Sequence, residues 1–238
     1  MTNAILRGKP DAGNPHVRLD EGEVASAKPR RGSLLYKKIM YLHGFASSGA
    51  SGTVELLRRE FWEKADANHR AAVVAPDIPI DPLVALPMLR EFAARERPDL
   101  IIGTSMGGMY AQQLHGFARI CVNPSFFLSK KYNILFVGKH KWMNRRRDGE
   151  TEFHVTKETI EHFQEMELHQ FDGVTDADRA LCHGLFGDED DTVLASETRP
   201  LFERHYPGMS SSFPGGHRLN AHVVLHTLLP YIRGLNLF

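Results

Sequence analysis

The feature that most constrains the fold of this chain is a serine between two glycines, placed where an apolar run gives way to a helix-like segment. The apolar residues 100–102 lead into the pentapeptide Gly-Thr-Ser-Met-Gly at 103–107. A serine on a sharp strand-to-helix turn has a strained backbone, so the residues two positions before and after it must be glycine to avoid a collision. Gly103 and Gly107 meet this demand. The pattern therefore predicts a strand, a tight turn that lifts the hydroxyl of Ser105 above the sheet edge, and a helix.

Short apolar runs alternate with amphipathic stretches along most of the chain. The pattern predicts strands near 39–42, 71–75, 100–103, 120–122, 180–186 and 209–213, and helices near 53–64, 82–95, 106–117, 197–205 and 219–232. This alternation predicts a mostly parallel, doubly wound α/β sheet with helices on both faces. Functional groups then belong at the carboxyl ends of the strands.

Two segments do not follow this alternation of predicted strands and helices. Residues 1–36 are rich in glycine, proline and charged residues, so we expect a partly ordered arm before a domain at 37–238. Residues 124–176 follow the fourth core strand, and we expect this insertion to form a cap or lid that ends in a helix near 157–168. Its basic residues are expected to be a solvated surface, although they could attract phosphate or carboxylate groups; they are Lys130, Lys131, Lys139, His140, Lys141, Arg145, Arg146 and Arg147.

Four aromatic residues of the same insertion have two possible roles. Phe126, Phe127, Trp142 and Phe153 could line a pocket for an acyl chain, or they could tie the insertion to the core. The sequence favours neither role.

Composition excludes some classes of partner. The 238 residues include 29 Lys and Arg and 29 Asp and Glu, so no net charge draws the protein to nucleic acid or to an anionic membrane. No run of 18 apolar residues occurs, and we expect a soluble, cytoplasmic protein whose oligomeric state is open. Cys121 and Cys182 both fall in predicted buried strands, where reduced packing thiols are expected.

The hydroxyl of Ser105 needs a base and an acid to become a nucleophile. A base must take its proton, and a third group must orient that base and stabilise its charged form. After the serine come an acidic loop, Gly-Asp-Glu-Asp-Asp-Thr at 187–192, and the sequence Pro-Gly-Gly-His at 214–217. The chain order serine, acid, histidine is that of the α/β-hydrolases. His217 is the predicted base, because a glycine-containing loop at a strand end can place its imidazole over the sheet.

The acidic loop offers several candidates for the third group. Asp190 is favoured over Asp191 and Asp188, because it stands three residues past Gly187 and just before the return into helix.

A tetrahedral intermediate also needs two N–H donors for its oxyanion. The backbone N–H of Met106 is one predicted donor, and that of Phe45 or Ala46 is the other. His43 is expected to support this loop by hydrogen bonding rather than to transfer protons. Gly44 allows a close backbone approach.

At these motifs the chain resembles the α/β-hydrolase superfamily and, within it, the small bacterial YqiA-like esterases. The resemblance covers about residues 38–235 and is carried by Tyr-Leu-His-Gly-Phe-Ala-Ser-Ser at 41–48, Gly-Thr-Ser-Met-Gly-Gly-Met-Tyr at 103–110, Val-Asn-Pro-Ser at 122–125 and Gly-Gly-His at 215–217. It implies a serine esterase for short acyl esters that uses Ser105, His217 and an acid within 188–191. A family-like Asp-x-Val-Leu register selects Asp191, whereas the superfamily's Gly-x-x-Asp spacing selects Asp190.

We therefore predict a serine carboxylesterase that hydrolyses short-to-medium acyl esters of small molecules through an acyl-enzyme intermediate. No metal, organic cofactor, nucleic acid or membrane is expected to take part; His222 and His226 are interpreted as helix-face histidines rather than metal ligands. Two alternatives stay open: a thioesterase acting on a phosphorylated acyl carrier, and a non-catalytic scaffold that binds a partner through the lid and the arm.

Overall fold

The computed structural model describes residues 37–66, 70–193 and 195–235, so the predicted arm at 1–36 lies outside the described residues. Six strands form one sheet: β1 (Lys37–Leu42), β2 (Ala71–Val74), β3 (Leu100–Thr104), β4 (Arg119–Val122), β7 (Cys182–Gly187) and β8 (Ser210–Phe213). Their order in the sheet is β2-β1-β3-β4-β7-β8, and each neighbouring pair is parallel. The prediction of a mostly parallel α/β sheet is confirmed.

Helices connect the strands and cover both faces of the sheet. They are α1 (Gly52–Arg58, continued as a π-helix over Arg59–Glu63), α2 (Pro82–Glu96), α3 (Met106–Gln112), α7 (Ala195–His205), α8 (Ala221–Val223, continued as a π-helix over Val224–Leu228) and α9 (Leu229–Gly234). Helix α3 ends five residues before the predicted boundary at Phe117. The C-cap of α3 is Gln113, and the chain then turns through Gly116, whose φ of 82° lies in the left-handed region, before β4 begins.

Alternate strand residues divide the core into two layers. Met40 and Ile101 face a layer built with α2, α3 and α7, whereas Ile39 and Ile102 face a layer built with α1, α8 and α9. Successive side chains of a strand point to opposite faces, so a strand buried on both sides is apolar throughout. This explains the uninterrupted apolar runs in the sequence.

The segment between β4 and β7 contains more regular structure than the sequence predicted. It holds α4 (Leu128–Lys131), a 3₁₀ turn (Ile134–Phe136), the antiparallel hairpin β5 (Gly138–Lys141) and β6 (Glu152–Val155), α5 (Lys157–His169) and α6 (Asp176–Arg179). The helix predicted over 157–168 is confirmed. The hairpin was not predicted, because its strands are short and β5 carries charged side chains that mask the period-two pattern.

The two cysteines lie in buried strands, as predicted. Cys121 on β4 and Cys182 on β7 are free thiols, and their Sγ atoms are 3.8 Å apart.

The topology brings two loops together at one edge of the sheet. Strand β1 lies between β2 and β3, and the chain leaves β1 and β3 in opposite directions, which makes this position a topological switch point. Leu42 pairs with Gly103, so the residues that follow them emerge side by side. The loop that begins at His43 therefore lies against the turn that contains Ser105.

Candidate active site

Ser105 occupies a strained turn between β3 and α3. Its φ of 56° and ψ of −120° are unusual for a residue with a side chain. A Cβ on Gly103 would lie 2.1 Å from the carbonyl oxygen of Gly107, and a Cβ on Gly107 would lie 2.1 Å from that of Leu42. Both distances are far below van der Waals contact, so both positions require glycine. The turn therefore has the backbone geometry expected from the Gly-x-Ser-x-Gly pattern.

His217 and Asp190 form a hydrogen-bonded pair at the same edge of the sheet. Nδ1 of His217 lies 2.8 Å from Oδ2 of Asp190. The carboxylate accepts, so Nδ1 carries the proton and Nε2 is left as the basic nitrogen of the neutral ring. The His217 side chain is 17% exposed and that of Asp190 only 1%. The pair is therefore largely shielded from solvent, with the imidazole on the accessible side.

The acidic loop is organised around Asp190. Its Oδ1 accepts the backbone N–H groups of Thr192 and Val193, both at 2.8 Å. Burial raises the pKa of Asp190, but the hydrogen bonds from His217 and from these N–H groups outweigh it, so the pKa lies below its usual value. Asp191 is exposed and accepts the hydroxyl of Thr192. The partner of His217 is thus Asp190, which the Gly-x-x-Asp spacing selects, and not Asp191, which the Asp-x-Val-Leu register selects.

His43 holds the loop after β1 in place. Its Nδ1 donates to the carbonyl of Gly44 at 2.8 Å, and its Nε2 accepts the N–H of Ile78 at 2.9 Å. Burial lowers the pKa of His43 to about 4, so the ring is neutral near pH 7. The prediction that this histidine supports the loop by hydrogen bonding is confirmed.

The residues after His43 form a turn beside Ser105. The N–H of Ser47 donates to the carbonyl of Gly44 at 3.3 Å, and Ala46 within this turn has a left-handed φ of 57°. A Cβ on Gly44 would lie 3.4 Å from Cβ and 3.8 Å from Oγ of Ser105. The loop and the serine are therefore in van der Waals proximity.

An aromatic cluster from the inserted segment packs on Phe45. The Phe45 ring stacks on Tyr132 with centroids 4.0 Å apart, and it meets Phe136 and Phe153 at 5.8 and 5.6 Å. Trp142 packs on Phe153 at 4.4 Å. We call these five residues the aromatic cluster. It joins the inserted segment to the loop that begins at His43.

Phe126 has a similar structural role elsewhere in the segment. It is fully buried and packs on Phe171 and Phe202 at 5.1 and 6.4 Å. The sequence left two roles open for the aromatic residues of the insertion, the lining of an acyl pocket and attachment to the core. These contacts support attachment to the core.

Hydrogen bonds reinforce this attachment. The N–H of Met143 donates to the carbonyl of Ala46 at 2.8 Å, and the hydroxyl of Ser48 donates to the carbonyl of Arg145 at 2.8 Å. The carboxylate of Asp77 accepts the backbone N–H of Gly49, from the chain after β1, and that of Arg147, from the inserted segment, each at 2.7 Å. The loop beside Ser105 is therefore bonded to the inserted segment through its backbone.

Two basic residues differ from the prediction of a solvated surface. His140 is half-buried: its ring stacks on Phe136 with centroids 4.0 Å apart, and its Nε2 lies 2.8 Å from the carbonyl oxygen of Phe136. Arg146 is 5% exposed, lies 4.0 Å from the centroid of the Trp142 ring, forms an ion pair with Asp148 at 3.0 Å and donates to the carbonyl of Ile78 at 3.3 Å. The planar guanidinium stacks on the indole while its N–H groups reach the carbonyl and the carboxylate. The prediction was wrong for Arg146, because charge alone did not reveal these partners; Lys130, Lys131, Lys139, Lys141, Arg145 and Arg147 are exposed.

Asn123 is a residue of the site whose role the sequence did not reveal. It follows β4, has a left-handed φ of 45° and is 2% exposed. Its side-chain amide bonds the backbone of Gly187, Gly216 and His217. The Asn-Pro dipeptide indicated a turn but not these partners, which lie 64 to 94 residues away.

The described part of the chain shows neither a metal cluster nor a membrane span. Within residues 37–66, 70–193 and 195–235, no three His, Cys, Asp or Glu side chains are grouped to hold a metal ion. His222 and His226 face each other with ring centroids 4.6 Å apart. None of the helices in these ranges is both long and apolar enough to cross a bilayer.

The fold is that of the α/β-hydrolases, as similarity to solved structures also shows. Est1E from Butyrivibrio proteoclasticus matches with a TM-score of 0.58 and 14% identity, over 85% of this chain and 88% of that one. The esterase domain of a Rhodothermus marinus protein matches with a TM-score of 0.53 and 19% identity, over 83% and 87%. The thioesterase domain from the curacin biosynthetic pathway matches with a TM-score of 0.50 and 12% identity, over 84% and 91%.

Within this class the chain belongs to the uncharacterised protein family UPF0227, whose sequence profile matches residues 38–159. The resemblance to YqiA-like α/β-hydrolases is thereby confirmed. The matched range contains the loop after β1, the turn at Ser105 and the hairpin β5–β6. A comparison with curated proteins finds no match.

Proposed function

We propose that this protein is a serine carboxylesterase that hydrolyses short-to-medium acyl esters. The observation that carries the proposal is the hydrogen-bonded His217–Asp190 pair, with Nδ1 and Oδ2 2.8 Å apart, at the sheet edge where Ser105 occupies a strained turn. Strain of this kind persists only where the surrounding structure imposes it, and it is concentrated at functional sites. Esterases are also among the proteins that share the fold.

In this proposal the reaction proceeds through an acyl-enzyme. Nε2 of His217 takes the proton of Ser105 as Oγ attacks the ester carbonyl carbon, and the backbone N–H groups of Met106 and Phe45 donate to the resulting oxyanion. His217 then protonates the leaving alcohol oxygen as the C–O bond breaks. A water molecule then attacks the acyl carbon while His217 takes its proton. The bond between the acyl carbon and Oγ of Ser105 breaks, His217 returns the proton to Oγ, and the carboxylic acid leaves. Asp190 remains ionised throughout and stabilises the imidazolium, a role that suits its lowered pKa.

The aromatic cluster packs the inserted segment against the loop beside Ser105. Tyr132 stacks on Phe45, and Trp142 packs on Phe153. A cavity of about 590 Å³ is lined in part by Trp142 and Phe153, but Ser105 and His217 are not among its lining residues. The preference for short-to-medium acyl chains is therefore a part of the proposal that rates on p-nitrophenyl esters of increasing acyl length test directly.

Covalent labelling with a fluorophosphonate probe tests the proposal. The wild type should be labelled, Ser105→Ala should not, and the exposed serine variant Ser196→Ala should be labelled like the wild type. Asp190→Asn should slow labelling by about 10⁴-fold, as expected for loss of the tautomer-fixing carboxylate, while Asp191→Asn should change it little. Folded wild type that is not labelled would refute the enzyme and favour a non-catalytic scaffold.

Thioester hydrolysis is the second candidate, since the same groups accept a sulfur leaving group. It is favoured by the likeness of the fold to the thioesterase domain from the curacin biosynthetic pathway. Lys131, an exposed cation of the inserted segment, is the residue we propose to hold the phosphate of a carrier. Comparison of kcat/KM for p-nitrophenyl acetate, a long-chain ester and an acyl-CoA separates the candidates. A preference for acyl-CoA that Lys131→Ala abolishes would select the thioesterase.

A further inference from the structure

Asn123 is a buried polar residue between the proposed nucleophile and the proposed base. It follows β4, the strand that lies between β3, which leads to Ser105, and β7, which leads to Asp190. Its left-handed backbone, with a φ of 45°, is one that asparagine tolerates better than most residues. The fold therefore places an amide side chain between the three strand ends that supply the proposed triad.

The partners of the amide fix its orientation. The N–H of Gly187 donates at 2.7 Å, so the atom that it meets must be the oxygen Oδ1. The carbonyl oxygens of Gly216 and His217 lie 3.0 and 3.2 Å from the other atom, which must be the nitrogen Nδ2. Both protons of the amide group and one lone pair are thus used on backbone atoms. Each partner belongs to a loop that carries either the proposed base or the proposed acid.

The backbone of the same turn holds the nucleophile. The N–H of Ser105 donates to the carbonyl of Val122 at 3.0 Å, and the N–H of Ser125 donates to the carbonyl of Ser105 at 3.0 Å. Residues 122–125 are therefore bonded to Ser105 through their backbone and to the His217 loop through the side chain of Asn123.

The acid and histidine loops are already joined to each other without Asn123. The N–H of Glu189 donates to the carbonyl of Gly215 at 3.0 Å, and a Cβ on Gly187 would lie 2.4 Å from the same oxygen. The pair of loops can accordingly keep its internal geometry without the amide. The end of β7 is held against the turn by strand pairing and by the N–H of Asn123, which donates to the carbonyl of Leu185 at 2.8 Å. The loop that carries His217 is bonded to the turn through the side-chain amide of Asn123, and this loop contains two glycines, which have the greatest backbone freedom.

We propose that Asn123 is a positioning residue that sets the distance between the nucleophile Ser105 and the His217–Asp190 pair. This inference rests on the proposed function. Asn123 acts through the backbone of His217 and does not contact substrate. Misplacement of a reacting group by about 1 Å lowers a rate by about 100-fold, so loss of the amide should affect kcat far more than KM.

Asn123→Gly tests this role without adding backbone strain. Glycine removes the amide but accepts the left-handed conformation. The matched control is Arg97→Gly, because Arg97 is exposed and has a similar φ of 47° at the end of α2, away from the site. We expect kcat for p-nitrophenyl acetate and the rate of fluorophosphonate labelling to fall by about 100-fold in Asn123→Gly, with KM changed by less than about twofold. Arg97→Gly should retain both rates.

A spectroscopic measurement separates positioning from folding. The Nδ1 proton of His217 is expected as a low-field NMR resonance that Asp190→Asn removes. Asn123→Gly should retain this resonance, since the two loops stay joined, while kcat falls; an unfolded or disordered site would lose both. If Asn123→Gly does not fold, Asn123→Asp replaces it, because a carboxylate keeps the shape and the bond from Gly187 but cannot donate to the two carbonyls.

The outcomes for the two proposals differ. A labelled wild type together with an Asn123→Gly variant whose kcat stays within twofold, or whose kcat falls only with its folded fraction, would overturn the positioning role. Loss of the low-field resonance in a folded Asn123→Gly variant would also overturn it as stated, since the amide would then be needed for the His217–Asp190 pair itself. A folded wild type that is not labelled would refute the serine esterase, and with it the proposal for Asn123.

Discussion

Gly44 offers a direct test of where the ester carbonyl is placed. An alanine Cβ at this position would lie 3.4 Å from Cβ of Ser105, 3.7 Å from the carbonyl oxygen of Thr104 and 3.8 Å from Oγ of Ser105. These are ordinary van der Waals distances, and Gly44 is not in the left-handed region. Gly44→Ala should therefore fold, with a free energy of unfolding that is unchanged or higher by about 0.4–1 kcal/mol.

The same methyl group should obstruct catalysis. A carbonyl carbon under attack must come within about 3–3.5 Å of Oγ, and carbon atoms in contact need about 3.5–4 Å. A methyl group 3.8 Å from Oγ would occupy part of the space between Ser105 and the loop in which the ester carbonyl must fit under the proposed mechanism. A misplacement of about 1 Å costs about 100-fold in rate. We expect kcat/KM for p-nitrophenyl acetate to fall by about 100-fold, which corresponds to about 2.7 kcal/mol of transition-state stabilisation.

Two other glycines provide the controls for this experiment. Gly52→Ala adds a methyl group with nothing within 4 Å and should leave both activity and stability near wild type. Gly107→Ala places a Cβ 2.1 Å from a backbone oxygen and should fail to fold or lose several kcal/mol. Urea unfolding and steady-state kinetics measure the two effects separately. A folded Gly44→Ala variant with wild-type kcat/KM would refute the assignment of the oxyanion donors to this loop.

Three further predictions concern stability. Burial lowers the pKa of His43 to about 4 in the folded state, whereas the unfolded residue titrates near 6.5, so the wild type should lose up to about 3 kcal/mol as pH falls from 6.5 towards 4. In urea unfolding, the free energy of unfolding of His43→Gln should lack this dependence on pH. An equal slope of unfolding free energy against pH in the variant and the wild type would contradict the prediction. The pKa of Asp190 is lowered in the folded state, so its carboxylate stabilises the fold above the unfolded pKa of about 4, and this contribution is lost as pH falls through the folded pKa. Asp190→Asn should therefore have a lower free energy of unfolding than the wild type at pH 5, and this difference should shrink by pH 3; a constant difference would argue against the hydrogen-bonded carboxylate. Arg146→Lys should lower thermal stability by about 1–3 kcal/mol through loss of the carbonyl bond and the indole stack, whereas the exposed Arg145→Lys should not; equal melting temperatures for the two variants would contradict the buried role.

The sequence predicted the fold well because its signals are local. Buried parallel strands need apolar side chains on both faces, and the turn at Ser105 needs glycine two residues to either side. Such demands are imposed by neighbours within a few residues. They are accordingly visible in the order of amino acids, and the predicted strands agree with the structure to within about two residues.

Contacts between distant segments could not be predicted from the sequence. The side chain of Asn123 is bonded to partners 64 to 94 residues away, and Arg146 reaches the carbonyl of Ile78, 68 residues away, in addition to its near neighbours Trp142 and Asp148. No pattern in the adjacent sequence distinguished either residue from a surface residue. The hairpin β5–β6 is a similar case, because its charged residues have the composition of a loop and its Phe153 contacts Phe45, 108 residues earlier in the chain.

The amino-acid order by itself determined the parallel sheet, the strained turn at Ser105 and the set of candidate groups, since these depend on hydrophobic period and on the steric limits of glycine. Only the tertiary structure decided that Asp190 rather than Asp191 meets His217, and that the inserted segment is bonded to the loop beside Ser105. Both outcomes depend on the direction in which each side chain leaves a loop and on which strand ends are neighbours in the sheet.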